Sequence, residues 1–235
     1  YMLISLSQQV RNDFGPMFPH WQFARLMLGG SDGYICGLLH ESFHAFAGTT
    51  ASTRLLASEK ANTQWADSYP VTDESFQDDW QTELDLLDSA LRATSDTEAA
   101  ALAEQFLEHR FTRRKVAGLG SSLIDYEQSR EWEEGLAKYT ELEIWRQAFA
   151  SPTYEPDPAI LLDPGFRNYK TFPNRWKTEL SNLTKRAKDE GDGRFYYSGM
   201  AQAFLLDRLM PEWKEHAFQE GVWLEDLLSE AIYLS

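Results

Sequence analysis

The sequence predicts a predominantly helical α+β fold. Three observations carry that expectation. Apolar residues recur at helical spacing over most of the 235 residues, one early segment has strand character, and five prolines between 151 and 173 exclude a regular helix there. Hydrophobic residues make up 43% of the chain and aromatic residues 14%, enough to bury a substantial core and too apolar for an unfolded chain. The formal charge of -15 repels phosphate, which argues against a nucleic-acid partner and against an anionic membrane surface. The longest basic run, RFTRRK over 110–115, is short and reads as a solvated turn. A single cysteine, Cys36, excludes internal disulfides and a Cys-rich zinc module. Mean hydropathy is -0.48, and no stretch reaches the roughly 18 apolar residues of a bilayer span, so a soluble protein without a transmembrane segment is expected. The chain opens at Tyr1 with Met2 following, as an arbitrary boundary or a processed end would. An extracytoplasmic protein whose signal segment is absent from this chain fits that opening, although neither compartment nor oligomeric state is written in the residues.

In chain order, YMLISLSQQV has strand character, and Gly15, Pro16 and Pro19 break the chain before the apolar WQFARLML, so one or two strands are expected within residues 1–30. Gly29 and Gly30 form a turn in which Ser31 or Asp32 caps a buried helix over 32–46, and the pattern stays helix-compatible to 61. Helices over 74–93 and 96–110 follow, then one long helix over 121–150 after Gly118 and Gly120. The proline-bearing run is expected to be an ordered loop. Beyond it come helices over 174–188 and 194–210, separated by a Gly-Asp-Gly turn, and a last helix after Gly221. The expected organisation is a single domain. Residues 1–62 form its N-terminal part, 63–120 a helical insertion, 121–150 a separate long helix, and 151–235 the loop and C-terminal helices.

One cluster stands above the rest: His40-Glu41-Ser42-Phe43-His44, an H-E-x-x-H motif inside the predicted buried helix. Residues i and i+4 share a helix face one turn apart, so the two imidazoles can grip one Zn²⁺, with Glu41 turned toward the water that the zinc activates. The competing reading is two core histidines on an amphipathic helix. A second segment lies on the long helix: Glu133-Glu134-Gly135-Leu136-Ala137-Lys138-Tyr139-Thr140-Glu141. Its alternative reading is an acidic, solvated helix face. A third, Tyr196-Tyr197-Ser198-Gly199, opens a late helix.

Together HESFH and EGLAKYTE resemble the gluzincin zinc metallopeptidases, in particular the peptidase MA group that includes the M1 aminopeptidases. The resemblance rests on three short segments between residues 40 and 199. It implies a zincin-like fold of the thermolysin type, with Zn²⁺ as cofactor and a peptide or protein as substrate. It also implies His40, His44 and Glu134 as ligands and Glu41 as general base. Glu141, two turns after Glu134, returns to the same face and is placed to fix the tautomer of a ligand histidine. Tyr196, three residues before Gly199, takes the position of the oxyanion donor, with Tyr197 as the alternative. The chain departs from the family in three respects. His44 and Glu134 stand farther apart in sequence, Ser198 replaces a lysine, and no G-x-M-E-N segment marks an aminopeptidase. Glu59 competes as third ligand but lacks the Gly-x-Ala-x-Tyr context. His20, His109 and His216 have no ligand-spaced partners, and Cys36 and the tryptophans read as packing residues. The expected activity is zinc-dependent hydrolysis of peptide bonds. The alternative is a zincin-fold binding domain without turnover.

Overall fold

Every regular element between Ser31 and Leu234 is a helix. The computed structural model describes residues 30–163, 165–189 and 191–234. Among the described residues nine α-helices follow in order: α1 (Ser31–Thr50), α2 (Ser52–Trp65), α3 (Glu74–Arg92), α4 (Asp96–Val116), α5 (Ser121–Arg130), α6 (Leu136–Ala150), α7 (Phe172–Leu183), α8 (Gly193–Leu209) and α9 (Leu224–Leu234). A π-helical turn, Glu131–Gly135, joins α5 to α6, so the long helix expected over 121–150 carries one widened turn. Among the described residues there is no β-strand. The predominantly helical expectation holds. Its predicted strands fall within residues 1–30, which lie outside the described residues except for Gly30. From Ser31 onward the apolar spacing is that of helices, with no alternating segment to form a sheet.

The chain divides into two compact units, Tyr1–Glu41 with Glu141–Trp176, and Ser42–Thr140 with Lys177–Ser235. The smaller unit is organised by Asp32. Rather than facing only its own helix, this fully buried carboxylate accepts the amides of Arg167 at 2.7 Å and Tyr169 at 2.9 Å, pinning the loop after the prolines. Asn168 and Tyr169 take positive φ there, a conformation held by those two bonds. Cys36, Trp145, Tyr169 and Phe172 form the core beneath the loop, and the Trp145 indole donates to the Tyr169 carbonyl at 3.1 Å.

The larger unit is built on the α3–α4 pair. Asp73 caps α3 through the Phe76 amide, and Ser95 caps α4 through the Glu98 amide. Trp80, Leu84, Leu87, Ala99, Ala103 and Phe106 bury their side chains completely. Helix α8 packs on α3 and on the π turn, and α9 packs on α4 and α8.

The run over 110–115 is not a solvated turn. Helix α4 continues to Val116, and Arg110 and Arg113 are buried at 1% exposure each. Arg110 donates to Glu83 at 3.0 Å and to both oxygens of Glu131 at 2.6 and 2.7 Å. Arg113 and Arg114 reach Glu127 at 2.6 and 2.7 Å, and Arg114 also reaches Glu225 at 2.7 Å. Buried charges demand partners, and here four carboxylates from α3, α5, the π turn and α9 supply them. Burial alone would raise the Glu225 carboxyl, but Arg114 and Arg110 outweigh it and hold it at about 2. The acidic segment at 131–134 is likewise interior: Glu131 and Glu133 are each 1% exposed.

Candidate metal centre

Helix α1 carries His40 and His44 on one continuous stretch, so their mutual placement is that of residues one turn apart on a shared face. Both imidazoles are partly buried, whereas Glu41 between them is exposed. Within the larger unit, His44 Nε2 stands 3.6 Å from Glu134 Oε2. That is too long for a hydrogen bond. It is close to the edge of a tetrahedral site, where ligands at about 2.0–2.1 Å from an ion stand about 3.3–3.4 Å from one another. His40, one turn before His44 on the same helix, is the residue that the H-E-x-x-H spacing adds to this pair. Within the smaller unit, His40 Nδ1 stands 3.9 Å from Glu141 Oε2, and Arg175 donates to the other oxygen of Glu141 at 3.2 Å.

Two glycines place Glu134. Gly135, next in the chain, meets Gly199 of α8 so closely that a β-carbon built on Gly135 would lie 2.5 Å from the Gly199 Cα, and one on Gly199 would lie 2.3 Å from the Glu131 carbonyl oxygen. No side chain fits between these backbones. Only the absence of both β-carbons lets the π turn and α8 touch, and this contact brings Tyr196, near the start of α8, to the Glu134 carboxylate. The Tyr196 hydroxyl is hydrogen-bonded to Glu134. Burial first, and then that bond, push its phenol above the ordinary value. Tyr197 points elsewhere, donating to buried Glu179 at 2.7 Å, where Lys138 also pairs at 3.3 Å. Of the two tyrosines, it is Tyr196 that reaches Glu134.

The other oxygen of Glu134, Oε1, accepts from Arg130 Nη2 at 2.9 Å. The same nitrogen bonds Asp192 at 2.7 Å, and Arg130 Nη1 bonds Glu133 at 2.8 Å. Glu59 is exposed and hydrogen-bonded to Glu133. Burial chiefly, with Glu59 adding to it, pushes the Glu133 carboxyl up to about 7. Glu59 therefore engages Glu133. His109 contacts the Asp79 carbonyl at 3.1 Å and His216 contacts Gln219 at 2.9 Å, while His20 lies outside the described residues. Arg130 and the Gly135–Gly199 contact belong to no motif of the sequence. The available signals were an arginine four residues before the third-ligand position and a glycine inside each of two helices.

No protein-family model, no curated protein and no solved structure matches the chain.

Proposed function

We propose that this chain is a zinc-dependent peptidase of the gluzincin type, with a zincin-like arrangement of its H-E-x-x-H and third-ligand helices. The observation that carries the reading is the approach of Glu134 Oε2 to His44 Nε2 at 3.6 Å, beside a helix that presents His40 one turn away. The donor set fits the ion: two imidazoles and one carboxylate are the ligands of a catalytic zinc, and they leave a coordination position open. When bound, zinc supplies Lewis acidity and lowers the pKa of a water to about 7. His40, His44 and Glu134 are the residues that would hold it. Glu41 follows the first ligand and is open to solvent, where it takes a proton from the attacking water and delivers it to the leaving amine. Tyr196, already beside the ligand carboxylate, turns its hydroxyl to the oxygen on which negative charge develops. Glu141, 3.9 Å from His40 Nδ1, is on the side from which it would orient that ring.

The test begins with metal analysis of protein purified without added zinc, followed by exposure to a mixed peptide library. One equivalent of zinc is expected, together with cleavage that a chelator abolishes and zinc restores. Glu41→Gln is expected to keep its zinc and fold while losing about 10²–10⁴ in turnover. Protein without stoichiometric zinc overturns the proposal. Zinc-loaded protein that leaves every peptide intact reduces it to a metal-binding domain without turnover.

A further inference from the structure

The strongest unassigned feature is Arg130, whose side chain is 4% exposed and engages three carboxylates. Its Nη1 bonds Glu133 at 2.8 Å, and its Nη2 bonds Glu134 at 2.9 Å and Asp192 at 2.7 Å. Helix stability does not account for this arrangement. An arginine N-terminal to its acidic partner is the less favourable order along the helix dipole, and an ordinary i,i+4 pair contributes little. What the geometry does account for is the disposition of Glu134. A carboxylate has two equivalent oxygens and can bind an ion through one or both. Arg130 bonds Oε1 at 2.9 Å, and it is Oε2 that stands 3.6 Å from His44. Through Asp192 the same guanidinium grips the residue just before α8, whose first turn carries Tyr196. The Asp192 carbonyl accepts the Tyr196 amide at 3.2 Å. A planar guanidinium reaches all three groups at once, which the single nitrogen of a lysine does not.

We infer that Arg130 is the positioning residue of this centre, holding Glu134 as a one-oxygen ligand and tying the Tyr196 turn to it through Asp192. The inference rests on the zinc-site proposal. Its action is through Glu134, with no contact to the ion, so its signature is in metal affinity and coordination number. Outer partners of this kind are typically worth about 10–100-fold in metal affinity.

The experiment measures zinc affinity by chelator competition, and the visible spectrum of the cobalt(II)-loaded protein, for wild type, Arg130→Gln, Arg130→Lys and Asp192→Asn. Arg130→Gln is expected to bind zinc about 10–100-fold more weakly at unchanged stoichiometry. Its cobalt absorption should weaken as the released Glu134 swings onto the ion through both oxygens and raises the coordination number. Arg130→Lys keeps one charged bond and should restore part of both properties. Asp192→Asn, at a partly exposed position, should shift both in the same direction by less. Should Arg130→Gln fail to fold, the lysine and Asp192 variants carry the comparison. Affinity within twofold of wild type and an unchanged cobalt spectrum in the folded variants overturn the inference, as does lost stability with an unchanged spectrum. A wild-type protein without stoichiometric zinc overturns the zinc site itself, and this inference with it. A zinc-loaded wild type matched by its Arg130 variants overturns the positioning role alone.

Discussion

Replacing Gly135 by alanine separates a local from a tertiary account of this fold by the sign of one number. Taken as an isolated helix position, Gly135→Ala should stabilise by about 1 kcal/mol, because alanine loses less backbone freedom on folding. The structure predicts the reverse. The new β-carbon would fall 2.5 Å from the Gly199 Cα, 2.9 Å from its carbonyl carbon and 3.1 Å from the Met200 nitrogen, all backbone atoms of α8 that cannot rotate away. Ordinary contact begins at 3.4 Å, so α8 must retreat by about 1 Å, and overpacking of this kind costs about 1–3 kcal/mol. With rigid backbone on both sides the upper part of that range applies. The net expectation is a loss of roughly 2 kcal/mol, read as a lower urea midpoint at unchanged slope. The same retreat draws Tyr196 from Glu134, so zinc affinity should fall too. Gly37→Ala is the control: it lies within α1, exposed, with nothing within 4 Å of the added carbon, and should gain up to about 1 kcal/mol. Combining Gly135→Ala with Gly199→Ala should cost less than the sum, since both crowd one contact and the retreat forced by either makes room for the other. A Gly135→Ala protein as stable as wild type, with full zinc affinity, would refute the close crossing as the device that sets Glu134.

Three further outcomes follow from the site and its support. Glu134→Ala should lose most of its zinc and Glu59→Ala should retain a full equivalent, because Glu134 faces His44 while Glu59 engages Glu133; the opposite result in metal analysis reassigns the third ligand. Tyr196→Phe should lower kcat by about 10²–10³ with little change in KM or zinc content. Tyr197→Phe should instead cost about 1–3 kcal/mol of stability by stripping a partner from buried Glu179, and steady-state kinetics beside urea unfolding distinguish the two. Acid should weaken the buried network. Glu225 is held at about 2 against an ordinary 4.5, so its contribution of roughly 3 kcal/mol is present above pH 4.5 and is lost as pH falls from there toward 2. Urea stability measured from pH 6 to 2.5 should show that decline, with a shallower slope in Glu225→Gln, and a flat profile contradicts the network's role.

Much of the helical layout was legible from residue patterns, because apolar spacing and the capping residues Asp73 and Ser95 act within a turn or two of themselves. The helices over 74–93 and 121–150 are of this kind. The run over 110–115 was not legible. Three arginines in six residues look solvated until carboxylates from four other elements surround them, and no local rule announces partners at Glu83, Glu127, Glu131 and Glu225. The same holds for the acidic 131–134 segment, which composition alone assigns equally well to water.

That His40 and His44 share a helix face follows from the residues alone, since the spacing of four residues and the geometry of one turn suffice. The residues also single out Glu134 and Tyr196 as candidates. The approach of Glu134 Oε2 to His44, the meeting of Tyr196 and not Tyr197 with Glu134, and the bond from Arg130 to the other oxygen come from long-range packing. The division follows from range. Helical periodicity is fixed by backbone bonds between residues four apart, whereas the approach of α8 to the π turn depends on two glycines 64 positions apart, whose missing β-carbons matter only once both backbones are in contact.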